Sequence, residues 1–323
     1  MCYNIPRGKK MNTLERKMLD LLKQIKDEYG VVACKAEFEA EGTRVDELLR
    51  LLELTNKADL KLGLKIGGCE AIRDLLESKS FGCDYIIAPM IESAYALKKY
   101  IDAKNKVYPK SHEAPDFLFN IETETGFNNC LEIFEVAAGN LDGCVFGRVD
   151  YTGSKDLASD QINEKHISLD VIKIADLCVK KNMDFVVGGG VSIDAISCLK
   201  EIRECRLTRF ETRKIIFGAD ALDLDKISTG LLKAVEFELL WLKNKREFHE
   251  MIFGEDKNRI EVNDVKGENS KVLLTSPSIS KQPLSSNEQR HTSLTPKTPL
   301  IQEHQITKKV CFRKWKNSSI KNN

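Results

Sequence analysis

Phe117-Leu118-Phe119-Asn120-Ile121, closed by Glu122, and Gly143-Cys144-Val145-Phe146-Gly147-Arg148-Val149, closed by Asp150, decide how this chain is read. Each is a short, mostly apolar run that stops on a carboxylate. Similar runs occupy residues 31–38, 62–66, 85–90, 185–187 and 210–217. Between them lie stretches with helical periodicity, including 45–54, 70–77, 94–101, 169–180 and 193–201. A helix over 12–28, with Leu14, Met18, Leu21, Leu22 and Ile25 on one face, precedes the series, and another over 225–248 follows it. Strands alternating with helices build a parallel sheet with the helices outside. Seven strands are evident and an eighth is not. The expectation is an α/β chain folded as a TIM-type (β/α)8 barrel with one degenerate strand. An open doubly wound sheet is the alternative, but no G-x-G-x-x-G follows an early strand.

The 323 residues are enough for one barrel of about 250 residues with some to spare. Residues 1–11 read as a leader, 12–254 as the barrel, and 255–323 as a low-complexity tail. That tail holds 13 Lys and Arg against 7 Asp and Glu, with much Ser, Thr, Pro and Asn. It lacks the apolar surface needed to offset its ordering entropy and is expected to be disordered. Its only aromatic residues are Phe312 and Trp315, too few for a stacking platform along the tail, so a nucleic-acid partner is not expected. No apolar stretch approaches the roughly 18 residues of a membrane span, and the N-terminus is basic without a signal peptide's apolar run. The ten cysteines form no C-x-x-C pair and mostly sit in apolar segments, as reduced thiols of a cytoplasmic protein would. The five histidines are too dispersed for a histidine metal site.

A parallel barrel keeps its chemistry at the C-terminal ends of its strands. Here those ends are charged: Lys35, Glu37, Glu39 and Glu41 after the first, Lys65 on the second, Glu122 after the fourth, Arg148 and Asp150 after the fifth, and Arg209, Glu211 and Arg213 in the seventh. Glu122 and Asp150, from neighbouring strands, suit a hard divalent cation, Mg²⁺ or Mn²⁺, that takes oxygen ligands. Such an ion would stabilise the enolate of a 2-oxo acid. After the sixth strand, Gly188, Gly189, Gly190 and Ser192 turn toward a helix. Their amides could hold a substrate anion, or the turn could serve only to reverse the chain. Lys35 and Lys65 could bind a carboxylate or form a Schiff base, and charge pairing is the preferred reading.

At Ile86-Ile87-Ala88-Pro89-Met90-Ile91-Glu92-Ser93, Asn120-Ile121-Glu122-Thr123 and Gly147-Arg148-Val149-Asp150-Tyr151-Thr152-Gly153-Ser154, the sequence resembles the HpcH/HpaI aldolase and citrate lyase family. The resemblance spans roughly residues 31–217. It implies an oligomeric (β/α)8 barrel, a divalent cation on the acids matching Glu122 and Asp150, and carbon–carbon lyase or aldolase chemistry on a small-molecule carboxylate. Lys65 stands where that family carries an arginine, and the family's general-base histidine has no counterpart. Glu37 or Glu39 could replace it if burial raised its pKa. Lys65 and Arg148 are expected to hold the substrate carboxylate. Two other readings stand beside this one: a phosphate-binding barrel isomerase or synthase, suggested by the glycine turn, and a non-catalytic ligand-binding barrel, suggested by the missing histidine.

Overall fold

The computed structural model describes residues 11–109 and 114–275. The leader's first ten residues and positions 276–323 of the tail lie outside them. The chain divides into two units, Met1–Asn263 and Asp264–Asn323, and the first holds the barrel. In chain order its elements are α1 Thr13–Tyr29, β1 Val31–Glu37, α2 Val45–Ala58, β2 Lys61–Lys65, α3 Ile72–Phe81, β3 Tyr85–Ala88, α4 Ala94–Val107 and β4 Asp116–Ile121. There follow α5 Glu124–Asn128, α6 Cys130–Ala137, β5 Gly143–Gly147, α7 Arg148–Ser154, α8 Lys165–Lys180, β6 Asp184–Gly188, α9 Ile196–Cys205, β7 Arg209–Glu211, β8 Ile215–Gly218 and α10 Ile227–Thr275.

The strands close into a barrel in the order β1 to β8. β1 through β7 pair in parallel, whereas β8 is antiparallel to both β7 and β1. The apolar run over 210–217 is thus two strands, which supplies the eighth that the sequence hid. Thr212, Arg213 and Lys214 interrupt it. The Thr212 amide donates to the Ile215 carbonyl at 2.9 Å, closing a tight turn. So short a connection can only join antiparallel strands, since a parallel return needs a dozen or more residues. Phe210 and Phe217 face each other across the ladder with stacked rings 5.1 Å apart.

The pleat sends alternate side chains into the barrel and out toward the helices. Ala33, Tyr85, Ile87, Leu118, Val145, Val186 and Ile216 form the apolar filling inside. The larger core lies outside the sheet, where Leu48, Leu51 and Leu54 of α2 and Met18, Leu22 and Ile25 of α1 meet the strands. Asn12 and Glu15 close a capping box at the start of α1. Because β8 runs downward, α10 starts at the bottom of the barrel and climbs to the mouth, where Lys245 and His249 reach Glu47 in the first turn of α2. The helix continues past Gly254 to Thr275, and its residues from 255 to 262 are exposed. No helix among the described residues is long and apolar enough to cross a membrane. The eight cysteines there are free thiols.

Candidate active site

The inward pattern continues for one more pleat above the apolar filling and there becomes charged. Two residues beyond Ala33 is Lys35, and two beyond that Glu37. Above Leu118 come Asn120 and Glu122, above Arg209 comes Glu211, and above Gly63 comes Lys65. On the descending β8, Lys214 stands two residues before Ile216. All of these side chains are buried. Their order follows from period two alone.

Opposite charges pair throughout. Lys35 Nζ lies 2.5 Å from Glu211 Oε1 and 3.1 Å from Glu37 Oε1. Lys65 Nζ lies 3.2 Å from Glu122 Oε2 and 2.8 Å from Glu39 Oε2. Lys214 pairs with Glu41, whose other oxygen is 4.0 Å from Arg213. Asn120 Nδ2 also donates to Glu122 Oε2, at 2.7 Å, and the Met90 amide donates to Glu122 Oε1 at 2.9 Å. Met90 reaches that position with a left-handed backbone, φ +52°. Two glycines make room for the acids. A Cβ on Gly147 would lie 2.7 Å from Glu122 Oε2, and one on Gly188 would lie 3.0 Å from Glu211 Oε1.

Asp150 completes the mouth from the first turn of α7. It is exposed and has no hydrogen bond or ion pair among the described residues. Partial burial and the charge of Glu122 push its carboxyl above the ordinary aspartate range, with Lys65 and Arg213 pulling partly back. Burial by itself would lower Lys65, but Glu122 and Glu39 outweigh it and hold the ammonium firmly protonated. Lys35 is raised in the same way: Glu211 and Glu37 outweigh its burial. Neither lysine is the neutral amine that a Schiff base requires.

Glu37 differs from its expected role. Burial favours its neutral form, but the charge and hydrogen bond of Lys35, with Lys65 and Arg213 behind, bring its carboxyl below the usual range. It is a counter-ion for Lys35 and not a base with a raised pKa. Arg148 is also displaced from its expected role. β5 ends two residues earlier than the sequence run, so Arg148 opens α7 and turns away from the mouth, fully buried. Its guanidinium donates to Asn163 Oδ1 and to the Gly189 carbonyl, each at 2.9 Å, and is spent on structure.

The glycine turn has a packing explanation. Gly189 sits at φ +77°, and a Cβ there would lie 2.6 Å from the Val149 amide nitrogen. A Cβ on Gly190 would meet Ile162 at 2.5 Å. The turn presses against α7, and the cation touching it, Arg148, is already bonded. Ser192 makes no side-chain cap with the three-residue turn that follows.

Sequence reading places Glu211 among the charges of the seventh strand without giving it a role, and does not single out Lys214 or Asn120 as site residues. Glu211 and Lys214 were hidden inside a run taken as one strand. The signal for Glu211 is Gly188 on the neighbouring strand, whose missing side chain leaves the acid its room. A cleft of about 590 Å³ lies outside the ring of strands, between α1, α2 and α10, lined by Glu15, Glu47, Arg50, Trp241 and Phe248 among others. Glu15 there is paired with Arg50 and Glu47 with Lys245.

No group of three or more His, Cys, Asp or Glu side chains that could hold a metal ion occurs among the described residues. The mouth nevertheless fits a cation that takes only two protein ligands. Glu122 Oε1 accepts one hydrogen bond and keeps a lone pair, and Asp150 is wholly unengaged. Mg²⁺ commonly binds through one or two carboxylates and fills its shell with water or substrate oxygens.

No family model matches the sequence, and no curated protein does. Among solved structures, the HpcH/HpaI aldolase from Desulfitobacterium hafniense DCB-2 is similar with a TM-score of 0.50 at 11% identity, over 62% of this chain and 82% of that one. A HpcH/HpaI aldolase/citrate lyase family protein from Burkholderia cenocepacia J2315 gives 0.49 at 12% identity, over 70% and 100%. The first likeness is one of fold.

Proposed function

We propose that the barrel mouth makes or breaks a carbon–carbon bond beside a carboxylate, acting on a 2-oxo acid or a related small acid through an enolate. The observation that carries this is a charge imbalance. Glu37, Glu39, Glu41, Glu122, Asp150 and Glu211 face Lys35, Lys65, Arg213 and Lys214, leaving two negative charges in excess when all are ionised. The excess centres on Glu122 and Asp150. An anionic substrate would be repelled from such a mouth unless a divalent cation arrived first. Mg²⁺ or Mn²⁺ bound there would polarise the substrate carbonyl and lower the energy of the developing enolate.

The chain's own groups then divide the remaining work. Lys65 stays protonated between Glu122 and Glu39 and offers its third donor to the substrate carboxylate. Glu39, less enclosed than Glu37 and paired only with Lys65, takes the base role that Glu37 cannot. Lys35, Glu37 and Glu211 hold the opposite wall in place. The geometry gives less support to the phosphate-binding alternative, because its glycine turn is packed against α7.

The test is methyl-proton exchange of pyruvate in D₂O, followed by NMR with Mg²⁺ or with EDTA. Exchange is expected with Mg²⁺ alone and is expected to disappear in Glu122→Gln and Asp150→Asn. Glu39→Gln should slow it by about 10² to 10⁴-fold without loss of fold. Exchange that survives EDTA, or a Glu39→Gln enzyme as fast as the parent, would remove these assignments. No exchange with any divalent ion would end the pyruvate-type reading.

A further inference from the structure

Helix α10 has two apolar faces. Leu231, Ala234, Phe237 and Trp241 are buried against the barrel. Around the helix from them, Leu232, Val235, Leu239 and Leu242 are 50–59% exposed. Their spacing of three, four and three residues is that of the a and d positions of a heptad. Four large aliphatic side chains in such a row form a helix-pairing seam, whereas singly scattered exposed leucines would mean nothing.

The charges beside the seam indicate what covers it. Glu236 and Lys243 flank one edge, are exposed, and have no ion pair among the described residues. Glu238 and Lys245 flank the other edge. Lys245 reaches Glu47 at 3.1 Å, and Glu238 lies 4.0 Å from Arg213. We propose that α10 of a second copy covers the seam, running antiparallel about a two-fold axis that passes between Leu240 and Trp241. In this register Leu239 packs on the partner subunit's Leu242, and the symmetry repeats that contact. The same register sets Glu236 against the partner subunit's Lys243 and Glu238 against the partner subunit's Lys245. Opposite charges thus meet along both edges.

A parallel pair is the competing arrangement. It also matches Glu238 with Lys243, but it places Arg246, the next seam position, directly against its own copy. The antiparallel register sets Arg246 beside the partner subunit's Val235, where its methylene stem packs and its guanidinium reaches water. Like-charge contact in the first arrangement and none in the second decides between them.

Sedimentation velocity of the full chain over a concentration series tests the proposal, with thermal unfolding as the fold check. The parent protein should be dimeric and Leu239→Glu monomeric. Glu236→Lys should weaken association by at least about tenfold by setting lysine against lysine twice. Adding Lys243→Glu to it should restore the parent affinity. A monomeric parent would overturn the proposal, as would an assembly indifferent to Leu239→Glu. Association unaffected by Glu236→Lys would also overturn it, because the parallel pairing predicts that result.

Discussion

Lys35 shows how much a single side chain carries in this barrel. It is buried between Glu37 and Glu211, so Lys35→Met would leave two acids facing each other without a cation. Removing one partner of a buried ion pair costs about 3–5 kcal/mol, far more than the pair contributes over an apolar replacement. Urea denaturation at pH 7 should show a loss of that size. The raised pKa of Lys35 keeps its contribution complete below the ordinary lysine value and lets it fade only above that value. The lowered pKa of Glu37 keeps its contribution complete above the ordinary glutamate value and lets it fade as pH falls through the folded value. The difference between parent and variant should therefore be fullest between those limits and shrink in acid.

Asp150 has the opposite sign. Its carboxyl is raised, so the folded state binds that proton more tightly than the unfolded chain does. Ionised Asp150 therefore costs stability above the ordinary aspartate range, and the cost vanishes below it. Thermal unfolding in EDTA at neutral pH should show Asp150→Asn above the parent in Tm. Mg²⁺ should stabilise the parent according to its occupancy, about 2.7 kcal/mol at a hundredfold excess over Kd, and leave the variant nearly unmoved. Equal Mg²⁺ shifts in both proteins would place the ion elsewhere.

Elements were more legible than side-chain directions. Strand positions followed from apolar runs, and helices from their 3.6-residue period. What the apolar runs could not give was the end of a strand, and the fifth run overshoots β5 by two residues. Continued as strand from the inward-facing Val145, Arg148 would already face outward, and as the first residue of α7 it likewise points away from the mouth. Lys65 and Glu122 were legible because each follows an unbroken alternation along its strand. The break at Thr212, Arg213 and Lys214 is hard to read because Phe210 and Ile215 to Phe217 look continuous across it, although four consecutive polar residues, Glu211 to Lys214, are a turn signal. Gly189 belongs to this scale too, since it fixes how β6 hands over to the helices beyond. Gly189→Ala would force a left-handed alanine onto the Val149 backbone and should lower stability by more than about 2 kcal/mol. A far smaller loss by calorimetry would show that α7 can give way.

At the scale of the whole molecule, the charges at the mouth and the apolar filling below it are two layers of one inward-facing pattern. The sheet that excludes water from Val145 and Val186 also presents Glu122 and Lys65 to the solvent side. The descending β8 alters this plan in one place, on the arc between β7 and β1. There the mouth is bordered by a three-residue turn where a uniform barrel would have a loop leading to a helix. The same reversal sends α10 upward with its seam exposed.

That antiparallel strand also sets an order of events. Until residues 209–218 exist, the sheet made from the first six strands has two free edges, at β1 and β6, each a row of unpaired amides and carbonyls able to pair with another chain. The hairpin satisfies both edges at once, because β7 joins β6 and β8 joins β1. A growing chain is therefore vulnerable to aggregation until its last ten barrel residues are made, and shielding of the open sheet during synthesis matters more for this barrel than for one whose eighth strand arrives as an independent unit.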